Sequence, residues 1–211
     1  MINLLVNTTT PYPTIYSDHQ GEYSSYKSDD YNSHSQNLIP LIEKFLKDYN
    51  VGMEVIDNIF IITGPGSYTG IRVGISLVLG LKISLNINII PITLFDAYFV
   101  QYKNMSFGQV LILVDSKKNG EYYYRNIVPC NNVDNIGVAS LESISGLVQD
   151  NGVICGEFNQ ERVEEYFGCK GVKSLNSNFV SEVVFRECSY LQGLGIALEA
   201  FYLKKTIFTV K

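Results

Sequence analysis

The densest run of chemically suggestive residues is Gly64-Pro65-Gly66-Ser67-Tyr68-Thr69-Gly70-Ile71-Arg72. Glycines at a strand-to-helix junction bare backbone N–H groups, and such a turn can cradle a phosphate or a carboxylate. The same residues also make a plain tight turn in which Ser67 caps the helix. Spacing favours the plain turn. A P-loop requires G-x-x-x-x-G-K-[ST], whereas Gly70 is followed by Ile71 and Arg72. The run misses the dinucleotide pattern G-x-G-x-x-G by one residue, and Pro65 stands where a nucleophile elbow needs glycine. Arg72, in the first helical turn, opposes the helix dipole by roughly a few tenths to 1 kcal/mol, so a carboxylate or a bound anion is expected as its partner, the carboxylate being the commoner case.

Other reactive side chains are sparse. The histidines are His19 and His34, and the cysteines are Cys130, Cys155, Cys169 and Cys188. No pair has C-x-x-C spacing and no histidine cluster exists, so no metal site is assigned. The cysteines read as reduced, core-filling residues of a cytosolic protein. A peptidase would need His34, Ser67 and an acid such as Asp115 to meet, which no spacing supports. His34 reads as a cap or surface residue, and no catalytic residue is assigned.

The elements that must position the glycine run follow from periodicity. Ile2 to Val6, Thr14 to Ser17 and Glu22 to Lys27 read as an antiparallel meander. Leu38, Leu41, Ile42, Phe45 and Leu46 recur at helical spacing, with Pro40 in about the first turn. A buried strand (Ile59 to Ile62) leads into the glycine turn and a helix (Ser67 to Lys82). A strand (Ile87 to Ile92) and a helix capped by Thr93 (to Tyr102) follow. The pattern then restarts: Val110 to Asp115, a turn, and Glu121 to Val128 echo the opening strand–turn–strand. Helices at Leu141 to Gln149 and Gln160 to Phe167, a strand at Val153 to Cys155 and one long helix from Glu182 to Lys204 complete an α/β chain of two related βαβ-containing halves, 1–104 and 105–211.

Composition bounds the function. The 211 residues are 46% hydrophobic and 18% charged, with a net charge of -5 and a pI near 5.1. Such an acidic chain is not the main holder of a nucleic acid, because affinity there comes largely from neutralising phosphates. Val73 to Phe95 is long enough to suggest a membrane span, but Lys82, Asn86, Asn88 and Pro91 interrupt it. Met1 to Val6 lacks the basic start of a signal peptide, so a cytoplasmic location without a membrane segment is expected. The helix itself is unusual. From Gly70 to Leu81 only Arg72 and Ser76 are polar. A helix apolar nearly all round is covered on both sides, either by the Leu38 to Leu46 helix or by a second protein. Gly70 and Gly74, one turn apart, admit a close neighbour.

These residues resemble the TsaB family (formerly YeaZ), whose hallmark is G-P-G-S-[FY]-T-G-[LVI]-R-[IV]-G. The match from Gly64 to Gly74 is complete. Ser33-His34-Ser35-Gln36 with Leu38 and Pro40, Val114-Asp115 with Gly120-Glu121-Tyr122-Tyr123, and Ala200 with Tyr202-Leu203-Lys204 extend the resemblance, whereas Pro129 to Ser177 adds little. The resemblance implies an actin-like ATPase (ASKHA) fold. It also implies a non-catalytic subunit for the threonylcarbamoyl modification of the adenosine beside the tRNA anticodon. The implied partners are a catalytic TsaD-type subunit and a TsaE-type ATPase, with a homodimer when alone and tRNA held only indirectly. No intrinsic cofactor is implied, and ATP or ADP is expected only at a joint surface of the assembled complex. Docking would use helices Ser35 to Asp48 and Ser67 to Lys82, hence Leu38, Leu41, Ile42, Phe45, Gly70, Ile71, Gly74, Leu77, Val78 and Leu81. A Gly74→Leu variant is then expected to break assembly and leave the monomer folded. Three departures point away from catalysis. Asn7 replaces the superfamily's metal-side Asp, His34 lacks the second member of the catalytic relative's His-x-x-x-His pair, and no G-G-x-x-x-N-like loop is present. An autonomous ATPase or peptidase and a homodimeric scaffold are the alternatives.

Overall fold

The computed structural model describes residues 1–103, 108–118, 120–149, 152–168, 173–175 and 181–201. It divides into two compact units, one of Met1–Ala97 with Ser181–Phe201 and a second containing Tyr98–Val180.

The first unit is built on five strands: β1 (Ile2–Asn7), β2 (Thr14–His19), β3 (Glu22–Lys27), β4 (Asn58–Ile62) and β5 (Asn88–Ile92). Their order is β3-β2-β1-β4-β5, antiparallel through the meander and parallel from β1 to β5. The central strands β1 and β4 are buried along their whole length, as a strand covered on both faces must be. Pro91 is tolerated because β5 is an edge strand. The register is marked by a row of side-chain amides. Asn88 donates to Asn58 (2.7 Å), Asn58 to Asn3 (2.8 Å) and Asn3 to the Asp18 carboxylate (3.1 Å). A slip of one residue would bury these groups unpaired. Helices α1 (His34–Asp48) and α2 (Tyr68–Leu85) pack against each other and the sheet. Pro40 lies well inside α1 and not in its first turn.

The second unit repeats the plan. Strands β6 (Val110–Asp115), β7 (Glu121–Val128), β8 (Val133–Ser140), β9 (Val153–Glu157) and β10 (Lys173–Leu175) lie in the order β10-β9-β6-β7-β8. Read from β8, that is third, second, first, fourth, fifth, the order of the first sheet. Helix α3 (Leu94–Tyr102) follows β5, α4 (Leu141–Ser145) precedes β9, and α5 (Gln160–Phe167) follows it. Thr93 caps α3 reciprocally: its hydroxyl accepts from Asp96 N–H (3.0 Å), and the Asp96 carboxylate accepts from Thr93 N–H (3.2 Å) and its hydroxyl. Two related halves are therefore written in the topology.

Three expectations need correction. The single helix over 182–204 is instead α6 (Ser181–Arg186) and α7 (Cys188–Gly193), after which Gly195 turns left-handed at φ +62° and the chain runs without helix to Phe201; residues 202–204 lie outside the described residues. The helix expected over Leu141 to Gln149 is the five-residue α4, because its C-cap Gly146 offers no side chain to pack. Cys130 is exposed, so it does not fill the core as Cys155 does.

Candidate functional site

The glycine run follows β4 and opens α2. Gly64 and Gly66 sit at φ +127° and +155°, where a side chain would be strained. A Cβ on Gly66 would stand 2.5 Å from Thr9 Cβ, and one on Gly70 would stand 2.1 Å from Thr8 O. The turn is thus pressed against the loop leaving β1. Ser67 N–H donates to Thr9 O (2.7 Å) and Gly70 N–H donates to the Ser67 hydroxyl (3.2 Å). Two donors that an anion would need are already used within the chain. Ser67 is the helix cap that its spacing predicted. At the far end, left-handed Asn86 closes α2.

The Thr8–Thr10 loop is itself clamped. The Asn7 side-chain oxygen accepts from Thr9 N–H (3.0 Å) and the Thr9 hydroxyl (2.6 Å), as an Asx turn does. His34 is not a surface residue. It is buried in the first turn of α1, and its Nε2 donates to Thr10 O (2.7 Å), which requires the Nε2–H form. The same ring lies 2.8 Å from where a Gly70 Cβ would be. His34 thus joins the start of α1, the Thr loop and the start of α2. Sequence periodicity carried no sign of this; only its place in the Ser33-His34-Ser35 match did. A base–nucleophile pairing of His34 with Ser67 is absent from the bonds these two residues make.

Arg72 lies over the ring of Tyr68, 4.0 Å from its centre. Residues four apart in a helix are neighbours, so this cation–π contact was within reach of the sequence. Tyr68, Thr69 and Arg72 are exposed, whereas Gly64 and Pro65 are buried.

The ten residues expected to dock a partner fall mostly inside the unit. Leu38, Leu41, Ile42, Phe45, Gly70, Ile71, Gly74 and Val78 are buried where α1, α2 and the sheet meet; Leu77 and Leu81 are half-buried against the same core. The reason is physical. The i, i+3, i+4, i+7 stripe that reveals a helix is the stripe its own sheet covers first. Gly74 faces Thr8 Oγ1 and Ile61, at 2.6 and 3.1 Å from its absent Cβ, so Gly74→Leu tests folding and not assembly.

The outward residues are others. Along α2, Arg72, Ser76, Leu79, Gly80 and Ile83 face away from the sheet at helical spacing; Ile83 is 84% exposed and Leu79 39%. Leu85 is exposed beyond them, and on α1 so is Ile39, at 53%. This helix has the length and apolarity of a membrane span, yet five of its residues are buried against the unit's own core. It is a layer of the domain with one greasy outer side.

In the second unit the corresponding hairpin carries Asp115, which accepts from Lys117 N–H (2.7 Å) and pairs with Lys117 Nζ (2.9 Å). Half-buried Glu157 ends β9 nearby in the ladder. Burial pushes its carboxyl up to about 7, against the opposing pull of Lys117. The folded state therefore holds a proton that an unfolded glutamate releases near pH 4.5. Stability is expected to fall as pH rises between those values, by about 1–3 kcal/mol after allowing for solvent screening. Thermal melts from pH 5 to 8 should show that slope flattened in Glu157→Gln; an unchanged slope would assign it to another group. Among the described residues no group of three or more His, Cys, Asp or Glu could hold a metal ion.

Residues 29–162 match the family model for TsaD, tRNA N6-adenosine threonylcarbamoyltransferase. The tRNA threonylcarbamoyladenosine biosynthesis protein TsaB of Haemophilus influenzae is 25% identical over 126 residues, covering 59% of this chain and 53% of that protein. The chain spans about half the length of the curated TsaB relatives it matches. YeaZ from Pseudomonas aeruginosa superposes with a TM-score of 0.69 at 17% identity, covering 96% of this chain and 99% of the other. A Bacteroides thetaiotaomicron protein with an actin-like ATPase fold superposes with a TM-score of 0.50 at 8% identity, over 88% and 95% of the two chains. The fold is the actin-like one.

Proposed function

We propose that this chain, which belongs to the family described by the TsaD model and within it to the TsaB/YeaZ group, is a non-catalytic subunit in tRNA threonylcarbamoyladenosine synthesis that docks a TsaD-type catalytic subunit. The observation that carries the docking is the outer side of α2. Leu79, Ile83 and Leu85 stand in water on a helix whose inner side is already satisfied. Apolar surface of this kind is stabilised by burial at about 25 cal/mol per Å2. Two further observations favour an accessory role over an autonomous ATPase or peptidase. Asn7, at the position where the superfamily uses a carboxylate, spends its oxygen on its own loop. His34 and Ser67 are spent as clamp and cap.

On this reading the chain acts in the cytoplasm, has no cofactor of its own, meets ATP or ADP only at a joint surface with its partners, and reaches tRNA through them. A TsaE-type ATPase joins the pair, and a second copy of the chain competes for the same helix face. The test is to mix the chain with the TsaD-type protein of its own organism, then measure the assembled mass and the modified adenosine in tRNA. A mixed complex with restored modification is expected. Separate elution of the two proteins, with modification proceeding equally well without this chain, would overturn the proposal.

A further inference from the structure

The glycine turn has a second neighbour besides the Thr8–Thr10 loop. After α7 the chain runs as an irregular strap from Leu194 to Phe201, turning at Gly195 and bending at Leu198–Glu199, and belongs to the first unit. Its end is seated on the turn. Phe201 N–H donates to Thr63 O (2.8 Å), and the Phe201 carbonyl oxygen stands 2.7 Å from where a Gly64 Cβ would be. The Phe201 ring meets Phe95 edge-on, with centres 6.3 Å apart, while Leu198 and Ala200 pack on the core of the unit. The backbone around the turn is otherwise engaged: Thr63 N–H donates to Ile92 O and Gly64 O accepts from Leu94 N–H. Among the described residues, the strap is what reaches the turn from outside the sheet and its crossovers.

The strap itself is lightly held. Leu194, Gly195, Ala197 and Glu199 are exposed, and it has no helix or ladder of its own. A segment with few buried contacts and exposed backbone opens at low free energy. Gly64, at φ +127°, is free as a glycine to take other backbone conformations, so its shape in the turn depends on what holds it there.

We infer that residues 194–201 are a latch that holds Thr63–Gly66 in the shape that starts α2, so that release of the latch loosens the first turn of that helix. Latch and helix start are coupled through the Phe201 N–H bond to Thr63 O and the seat of the Phe201 carbonyl over Gly64, while the ring rests on Phe95 of α3. Any event that draws Phe201 away, a partner's contact included, then changes the helix that carries the outer apolar face.

Hydrogen exchange on the full chain tests this with Phe201→Pro, which deletes the N–H donor, and Phe201→Leu, which keeps it. One backbone bond contributes up to about tenfold in a local opening equilibrium. The proline variant is therefore expected to exchange about tenfold faster both in 194–201 and in 63–71, with β1–β3 unchanged and the leucine variant close to wild type. Faster exchange confined to 194–201, no change in either segment, or loss of protection throughout β1–β3 would each overturn the latch. The last outcome would make the strap a structural part of the core. None of these results depends on the docking proposal, which is read from assembly.

Discussion

A chain carrying Leu79→Lys together with Ile83→Lys is expected to stay folded and, on the proposed docking, to lose binding to a TsaD-type subunit. Both residues face outward on α2, and Ile83 touches little of its own unit, so the monomer gives up little apolar burial. Lysine is a good helix former, and near the C-terminal end of α2 a cation suits the dipole. The isolated chain should therefore melt within a few degrees of wild type. At an interface the outcome differs. Each apolar side chain removed forfeits about 1.5–3 kcal/mol of burial, and each introduced ammonium resists desolvation. The pair should weaken association at least about a hundredfold, equivalent to ~2.7 kcal/mol. Titration of the partner by calorimetry, alongside melting of the free chain, reads both sides. Association within about threefold of wild type would remove the outer face of α2 as the dock, and Ile39→Lys on α1 would become the next surface to examine.

The contrast between these two residues and the ten expected from sequence is instructive. Apolar periodicity located α1 and α2 to within a few residues, because a helix on a sheet must present a continuous stripe to it. It could not say which apolar residues were left over once that stripe was buried. Ile83 and Leu79 differ from Val78 and Ile75 only in angle around the helix, and that angle is set by how the sheet twists beneath it. The glycines behave likewise. Gly70 and Gly74 are places of close approach, as their lack of side chains predicts. The neighbour is the Thr8 loop of the same unit, a contact made between residues more than 60 positions apart in sequence, and one-dimensional spacing does not carry it.

The second unit was legible where strands alternate clearly and illegible elsewhere. The β6–β7 hairpin is legible because Val110 to Val114 is a continuous apolar run and Gly120, at φ +69°, marks the turn. The adjoining β8 carries no such pattern. It is an edge strand of half-exposed and polar residues, Val133-Asp134-Asn135-Ile136-Gly137, stabilised by its neighbour and not by its own composition. The ring of Tyr124 covers Gly137, at 2.8 Å from the missing Cβ, and Arg125 holds Asp134 through two hydrogen bonds of 2.9 Å. Cross-strand support of this kind is invisible until the register is known. The C-terminal helix failed for the opposite reason. Its apolar pattern continues through Gly193 and Gly195, but the left-handed turn at Gly195 redirects the chain into the strap, where Leu198 and Ala200 pack half-buried on the first unit from an irregular segment.

The same substitution at two glycines of α2 should have opposite effects, and Gly70→Ala should be the most damaging single methyl group in the unit. At Gly70 the new carbon would lie 2.1 Å from the Thr8 carbonyl oxygen and 2.8 Å from His34 Nε2. Neither neighbour can step aside cheaply. Thr8 O belongs to backbone clamped by the Asn7 turn, and His34 is fixed by its bond to Thr10 O. Overpacking a rigid site of this kind costs about 3 kcal/mol or more. For a unit of this size that is a fall in Tm of about 10–20 °C. At Gly80 no atom lies within 4 Å of the added methyl group, and alanine is favoured over glycine inside a helix by about 0.5–1 kcal/mol. Gly80→Ala should thus raise Tm by a few degrees in the isolated chain. Helix propensity alone predicts a gain at both positions, so a stabilised Gly70→Ala would show that the Thr8 loop is not pressed against α2. The His34 clamp, the seat of the glycine turn and the orientation of the outer face would then all have to be redrawn, since each depends on that one approach of loop to helix.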